Sequence, residues 1–185
     1  MIYLVIDRGF GLLSNKVGGL PNNLLWNVAF YIYIFLGGIA LLIGWLQFNK
    51  KWRSKNMKLH RMIGKIYVVA VLISGITSIH IGFYVIGGFV SALGFISLGL
   101  IWFYTTVMGY VHIRQGKVME HRLMMIYSYA DCFSAVTLRL WLPILVAVSG
   151  NFEKGYVLAA WICWVPNIIV AYWLVRNMQQ RELAS

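Results

Sequence analysis

Charged side chains are scarce in this chain. Asp, Glu, Lys and Arg make up 11% of 185 residues, and only 5 of them are acids. A soluble domain of this size needs a far more charged surface, so a water-facing globule is excluded. Cysteine is nearly absent too. Cys132 and Cys163 stand far apart inside apolar runs, which argues against a disulfide framework and against a CxxC redox or zinc motif. Neither has a His or an acid arranged to activate it, so an enzyme working through a nucleophile finds no support. The opening MIYLVID is too short for a cleavable signal, and Asp7 interrupts it.

Apolar sequence takes up most of the chain: 61% of the residues are hydrophobic and 16% aromatic. Several runs reach the ~20 residues that cross a bilayer. The expectation is an all-α integral membrane protein, a five-span helical bundle in one domain. The spans are expected at 24–47, 60–84, 89–112, 121–149 and 156–178. An extracytoplasmic or interfacial segment, 1–23, precedes them and a cytoplasmic tail, 179–185, follows. Ala40 and Gly44 in the first span, and Ala70, Ser74 and Ser78 in the second, form small-residue strips that let helices approach closely. Gly87-Gly88 marks a tight turn, Pro143 a kink in the fourth span, and Pro166 lies inside the fifth.

A formal net charge of +11 would point a soluble protein toward nucleic acid. Here the cations sit between apolar spans, so they set orientation and no nucleic-acid partner is expected. Lys50, Lys51, Arg53, Lys55, Lys58, Arg61 and Lys65 crowd one loop, and Arg114, Lys117 and Arg122 gather around another. With Arg176 and Arg181 these define the inner side, leaving Arg8, Lys16 and Lys154 outside and Arg139 within a span. The N-terminus is then expected outside and the C-terminus cytoplasmic.

The stretch EHRLMMIYSYADCFSAVTLRLWLP, 120–143, carries His121, Arg122, Asp131 and Arg139 through one span. Ionisable groups at membrane depth cost several kcal/mol unless they face protein or water, which makes them functional candidates. At about 100° per residue, His121, Met125, Ser128, Cys132 and Arg139 share a stripe, and Asp131 lies about 80° off it. Arg139 is expected to find Asp131 through a bridging group, carbonyls freed near Pro143, or an anionic ligand such as a quinone oxygen.

The second span repeats the pattern. LHRMIGKIY and EHRLMMIY both open on His-Arg, with Tyr67 or Tyr127 about two turns inside. If the His60 and His121 faces meet, two imidazoles oppose each other at one depth. That suits a b-type haem held by His60 and His121, with Arg61 and Arg122 on its propionates. His112, at the same inner level, allows a metal ion held by three histidines, although Glu120 is the one carboxylate nearby. The plain alternative is that both pairs only hydrogen-bond at the interface while Arg reaches headgroups. His80 lies ~30 Å from His60 along its helix and cannot join them.

FYIYIFLGGIALLIGWLQF, LHRMIGKIY, GGFVSALGFISLGLIWFYTT and HRLMMIYSYA…AVTLRLWLP together resemble an uncharacterised family of bacterial predicted membrane proteins, a domain of unknown function of the DUF2306 type. The resemblance covers about 30–143. It implies roles for His60, Arg61, Gly64, Tyr67, His121, Arg122, Met125, Ser128, Tyr129, Thr137 and Arg139. This chain has Tyr127, Asp131 and Tyr33 where the family more often has Arg, an apolar residue and His; if Tyr33 replaces a ligand, a shared site is altered here. No activity comes with the resemblance. Three functions stay open: a haem or redox protein, a structural subunit of a larger membrane complex or homo-oligomer, and a small-solute transporter using Asp131 and Arg139.

Overall fold

The computed structural model describes residues 24–183, and among them every regular element is helical. The order is α1 (Leu24–Gly44), prolonged by a 3-10 turn at Trp45–Phe48, then α2 (Lys50–Lys55) and α3 (Met57–Gly82). α4 (Gly88–Arg114), α5 (Val118–Ser149), α6 (Phe152–Ile162) and α7 (Val165–Leu183) follow. Five stretches are long and apolar enough to cross a bilayer: Leu25–Phe48, Met57–Gly82, Gly88–Arg114, Val118–Ser149 and Phe152–Glu182. The chain is an all-helical membrane bundle of five spans. The expected interfacial segment 1–23 lies outside the described residues.

Short, specific connections hold the spans antiparallel. Gly87 and Gly88 take φ of +88° and +65°, so the α3–α4 turn needs two residues without Cβ in succession. Gly150 closes α5 at φ +63°, and Asn151 caps α6 by accepting from the backbone of Glu153 and Lys154 at 2.8 and 3.2 Å. In the basic loop, Asn49 likewise accepts from Trp52 at 3.1 Å and starts the short α2.

Each expected span is a helix, with altered ends. α3 begins at Met57 and α5 at Val118, three residues before the expected starts. α5 runs through Pro143 without a break. The fifth span instead divides at Cys163–Trp164. Pro166 is the second residue of α7, where its missing N–H falls among donors that have no intrahelical partner anyway. The carbonyl of Cys163 is taken up by Thr137 of α5 and by Asn167 Nδ2, the latter at 3.0 Å.

Small residues set the close contacts. Ala40 is fully buried between α1 and its neighbours, with Tyr67, Ala70, Val71, Trp102 and Cys132 in the same cluster. A Cβ at Gly155 would stand 2.7 Å from the backbone nitrogen of Val146, so α5 and α6 touch backbone to backbone. Large apolar side chains such as Leu42, Phe89, Leu140 and Val148 point outward. Lipid solvates them at no cost, so the outside of this bundle is as apolar as its inside.

Candidate functional site

At the basic end of the bundle, α1, α2, α3, α4 and α5 enclose a cavity of about 510 Å3. That is within the range of small-molecule and cofactor sites. α3 contributes His60, Arg61, Lys65 and Tyr67 to its wall, and α5 contributes His121, Arg122, Met125 and Tyr129. The two His-Arg pairs, which are 61 positions apart in sequence, therefore border one space. His60 and His121 lie within electrostatic reach of each other. His112 is close enough to His121 to act on it electrostatically, yet it is not part of the wall. His80 is at the opposite end of α3, its ring 5.5 Å from that of Tyr84.

His121 is held in one orientation. Its Nδ1 lies 2.8 Å from the carbonyl oxygen of Gly109 on α4. A carbonyl only accepts, so Nδ1 carries the hydrogen, and in the neutral ring Nε2 is left with a free lone pair. Metal-bound histidines are fixed by the same kind of carbonyl bond behind the ligating nitrogen. His60 is half-buried, and its Nδ1 is enclosed with no hydrogen-bond partner.

The wall is one-sided in charge. Arg53, Arg61, Lys65, Arg114 and Arg122 border the cavity, and among the described residues no acid does. Phe48, Tyr110 and Tyr129 give it aromatic sides; Phe48 and Tyr129 rings lie 5.4 Å apart, and Tyr129 donates to the Leu41 carbonyl at 3.3 Å. Gln47 also lines it, with both amide atoms enclosed and unpaired. Gln47 and Tyr110 are not among the expected site residues. For Gln47 a signal existed, a polar amide closing an otherwise apolar span at its basic end.

Tyr67 reaches from the cavity wall into the bundle, where its hydroxyl is 2.9 Å from Ser128 Oγ. Ser128 is in turn 2.6 Å from Thr106 Oγ1, and Thr106 donates to the Trp102 carbonyl at 2.8 Å. All three hydroxyl-bearing residues are buried.

Asp131 and Arg139 make no direct contact. Asp131 is 2% exposed and neither carboxylate oxygen has a hydrogen-bond partner. Arg139 is exposed and donates to the carbonyl of Ala135 on its own helix at 2.5 Å. An axial rise of ~12 Å and about 80° of rotation separate the two. Arg139 also leaves the inner face that His121, Ser128 and Cys132 share. At its level the packing partners of α5 are α6 and α7, which cover Thr137 and Leu142 instead.

The residues present would suit a porphyrin: His121 keeps an Nε2 lone pair, His60 borders the same space, and cations line it. Three histidines around one bare ion have less support. Among the described residues no group of three or more His, Cys, Asp or Glu converges as metal ligands do.

A family model, described as a predicted membrane protein family (DUF2306), matches residues 30–175. Comparison with curated proteins and with solved structures gave no match.

Proposed function

The chain belongs to the DUF2306 family of predicted membrane proteins, and for this member we propose a b-type haem held between His60 and His121 in a bacterial inner-membrane electron-transfer protein. The observation that carries the reading is the pair of imidazoles bordering one cavity from α3 and α5, with Nε2 of His121 freed by the bond to Gly109. Haem with two histidine ligands supplies a one-electron couple whose potential is tuned by burial and nearby hydrogen bonds. The chain's own residues do the rest. Gly109 orients His121, Arg61 and Arg122 would pair with propionates, and Phe48, Tyr110 and Tyr129 would pack beside the macrocycle. Positive charge at this end supports a site at the cytoplasmic face. A quinone dissolved in the bilayer is an electron partner that requires no extramembrane domain.

Protein purified from cells supplied with haem precursor is expected to show a Soret band and a pyridine haemochrome. His60→Ala and His121→Ala should each abolish both. A colourless wild-type protein with no extractable porphyrin overturns the reading.

A second reading, a subunit of a larger membrane complex, draws on one observation. Arg139 presents a cation on the outward face of a span, where an acid or carbonyl of another chain would relieve it. Native mass spectrometry from a gentle detergent that yields free monomer alone counts against it.

A further inference from the structure

A line of polar residues winds along α5. Ser128, Asp131, Ser134 and Thr137 follow one another at three-residue spacing, each about one turn beyond the last. The line starts against α3 and α4, at the Tyr67–Ser128–Thr106 hydroxyls, and ends against Cys163 and Asn167 at the break in the fifth span. Most of its members are satisfied. Ser134 donates to the Asp131 carbonyl and Thr137 to that of Cys163. The Asp131 carboxyl is the exception, enclosed and without a donor.

The hydroxyl chain has a fixed direction. The one hydroxyl hydrogen of Thr106 is committed to the Trp102 carbonyl, so Thr106 Oγ1 accepts from Ser128. Ser128 then accepts from Tyr67. Hydrogens point inward from the cavity wall, and the last mobile one belongs to Ser128, a single turn from Asp131.

Among the described residues, the groups facing Asp131 offer it no positive charge. Tyr67 of α3 and Cys132 beside it on α5 are coupled to it electrostatically. Around them stand Thr106 and Trp102 of α4, Tyr33 of α1 and Cys163 at the break. The cation nearest in sequence, Arg139, is eight residues on and exposed, and it acts on Tyr33 rather than on the Asp131 carboxyl. A bare carboxylate here would have neither donor nor counter-charge. The carboxylic acid is the form a dry interior tolerates.

We propose that Asp131 is a membrane-buried proton-binding site that exchanges its proton with the basic-end cavity through Tyr67 and Ser128. The step is a relay without electron transfer. A proton from cavity water joins the Tyr67 oxygen as the Tyr67 hydrogen passes to Ser128, and the Ser128 hydrogen turns from Thr106 to a carboxylate oxygen of Asp131. One O–H bond breaks and one forms at each hydroxyl, and COO⁻ becomes COOH. The return path reverses it. Outward, Ser134 and Thr137 have their hydrogens tied to carbonyls, so the relay opens to one side.

Infrared spectroscopy of the full chain in lipid nanodiscs at neutral pH tests this. A carboxylic-acid carbonyl stretch is expected that shifts down in D2O and is lost in the near-isosteric Asp131→Asn. In Tyr67→Phe and in Ser128→Ala the band should remain, with its deuterium exchange slowed at least tenfold. Absence of an Asp131 acid band in the folded wild type overturns the proposal. So does exchange at the wild-type rate in both hydroxyl variants. Folding of every variant is checked by circular dichroism, and aspartate carrying carbon-13 assigns the band if Asp131→Asn does not fold.

Discussion

A histidine ring has two nitrogens, and at position 121 one is already committed to the Gly109 carbonyl. The same logic of finite hydrogens orders the Tyr67–Ser128–Thr106 chain and makes its direction measurable. Thr106→Val takes the acceptor from the Ser128 hydrogen and leaves a buried donor unpaired, at a cost of about 1–3 kcal/mol. Tyr67→Phe only removes a hydrogen arriving at the Ser128 oxygen, and about 1 kcal/mol is the expected loss. Unfolding in mixed micelles should rank Thr106→Val as the more damaging change, and the opposite ranking refutes the donor direction. At this scale the sequence was informative about His60 and His121, because a repeated His-Arg at two helix starts fixes both depth and face. It did not show that Asp131 and Arg139 have different surroundings. A helical wheel tells which residues share a face of one helix, but not which neighbour covers that face at a given height.

Among the elements, the divided fifth span is the most exposed to damage. Thr137 and Asn167 take up the carbonyl of Cys163, and Asn167 Nδ2 also reaches the Ala130 carbonyl at 3.3 Å and Thr137 Oγ1 at 3.2 Å. No water is available in lipid to replace those bonds. Asn167→Ala should therefore lower stability by about 1–3 kcal/mol, read as a lower thermal midpoint in detergent. Gly155→Val should cost about as much, since a Cβ there drives α6 off the backbone of Val146. A midpoint unchanged in either variant contradicts the packing described. The Gly87-Gly88 turn could be read from the sequence because two adjacent glycines have few other uses between apolar runs. The break at Cys163–Trp164 could not. Proline is tolerated both in a first helical turn and inside a membrane helix, and composition does not tell the two apart.

For the whole molecule, five crossings put the two ends of the described chain on opposite sides, and the charge bias predicts that the basic end faces the cytoplasm. A green fluorescent protein fused after Ser185 is expected to fluoresce, while alkaline phosphatase inserted at Gly150–Asn151 should be active outside. The reverse pattern inverts the orientation. Number of spans and charge bias were open to sequence reading because hydropathy and lysine placement are additive along the chain. The cavity was only half open to it, since its remaining walls come from α1, α2 and α4. One dimension of α5 has a further effect. Its 32 residues extend for ~48 Å, against ~30 Å of hydrocarbon. The surplus must lean or protrude, and at the basic end it holds the imidazole of His121. Longer acyl chains would swallow that surplus and draw the ring of arginines against the phosphates, so membrane thickness becomes a setting for how tightly this end holds whatever it binds.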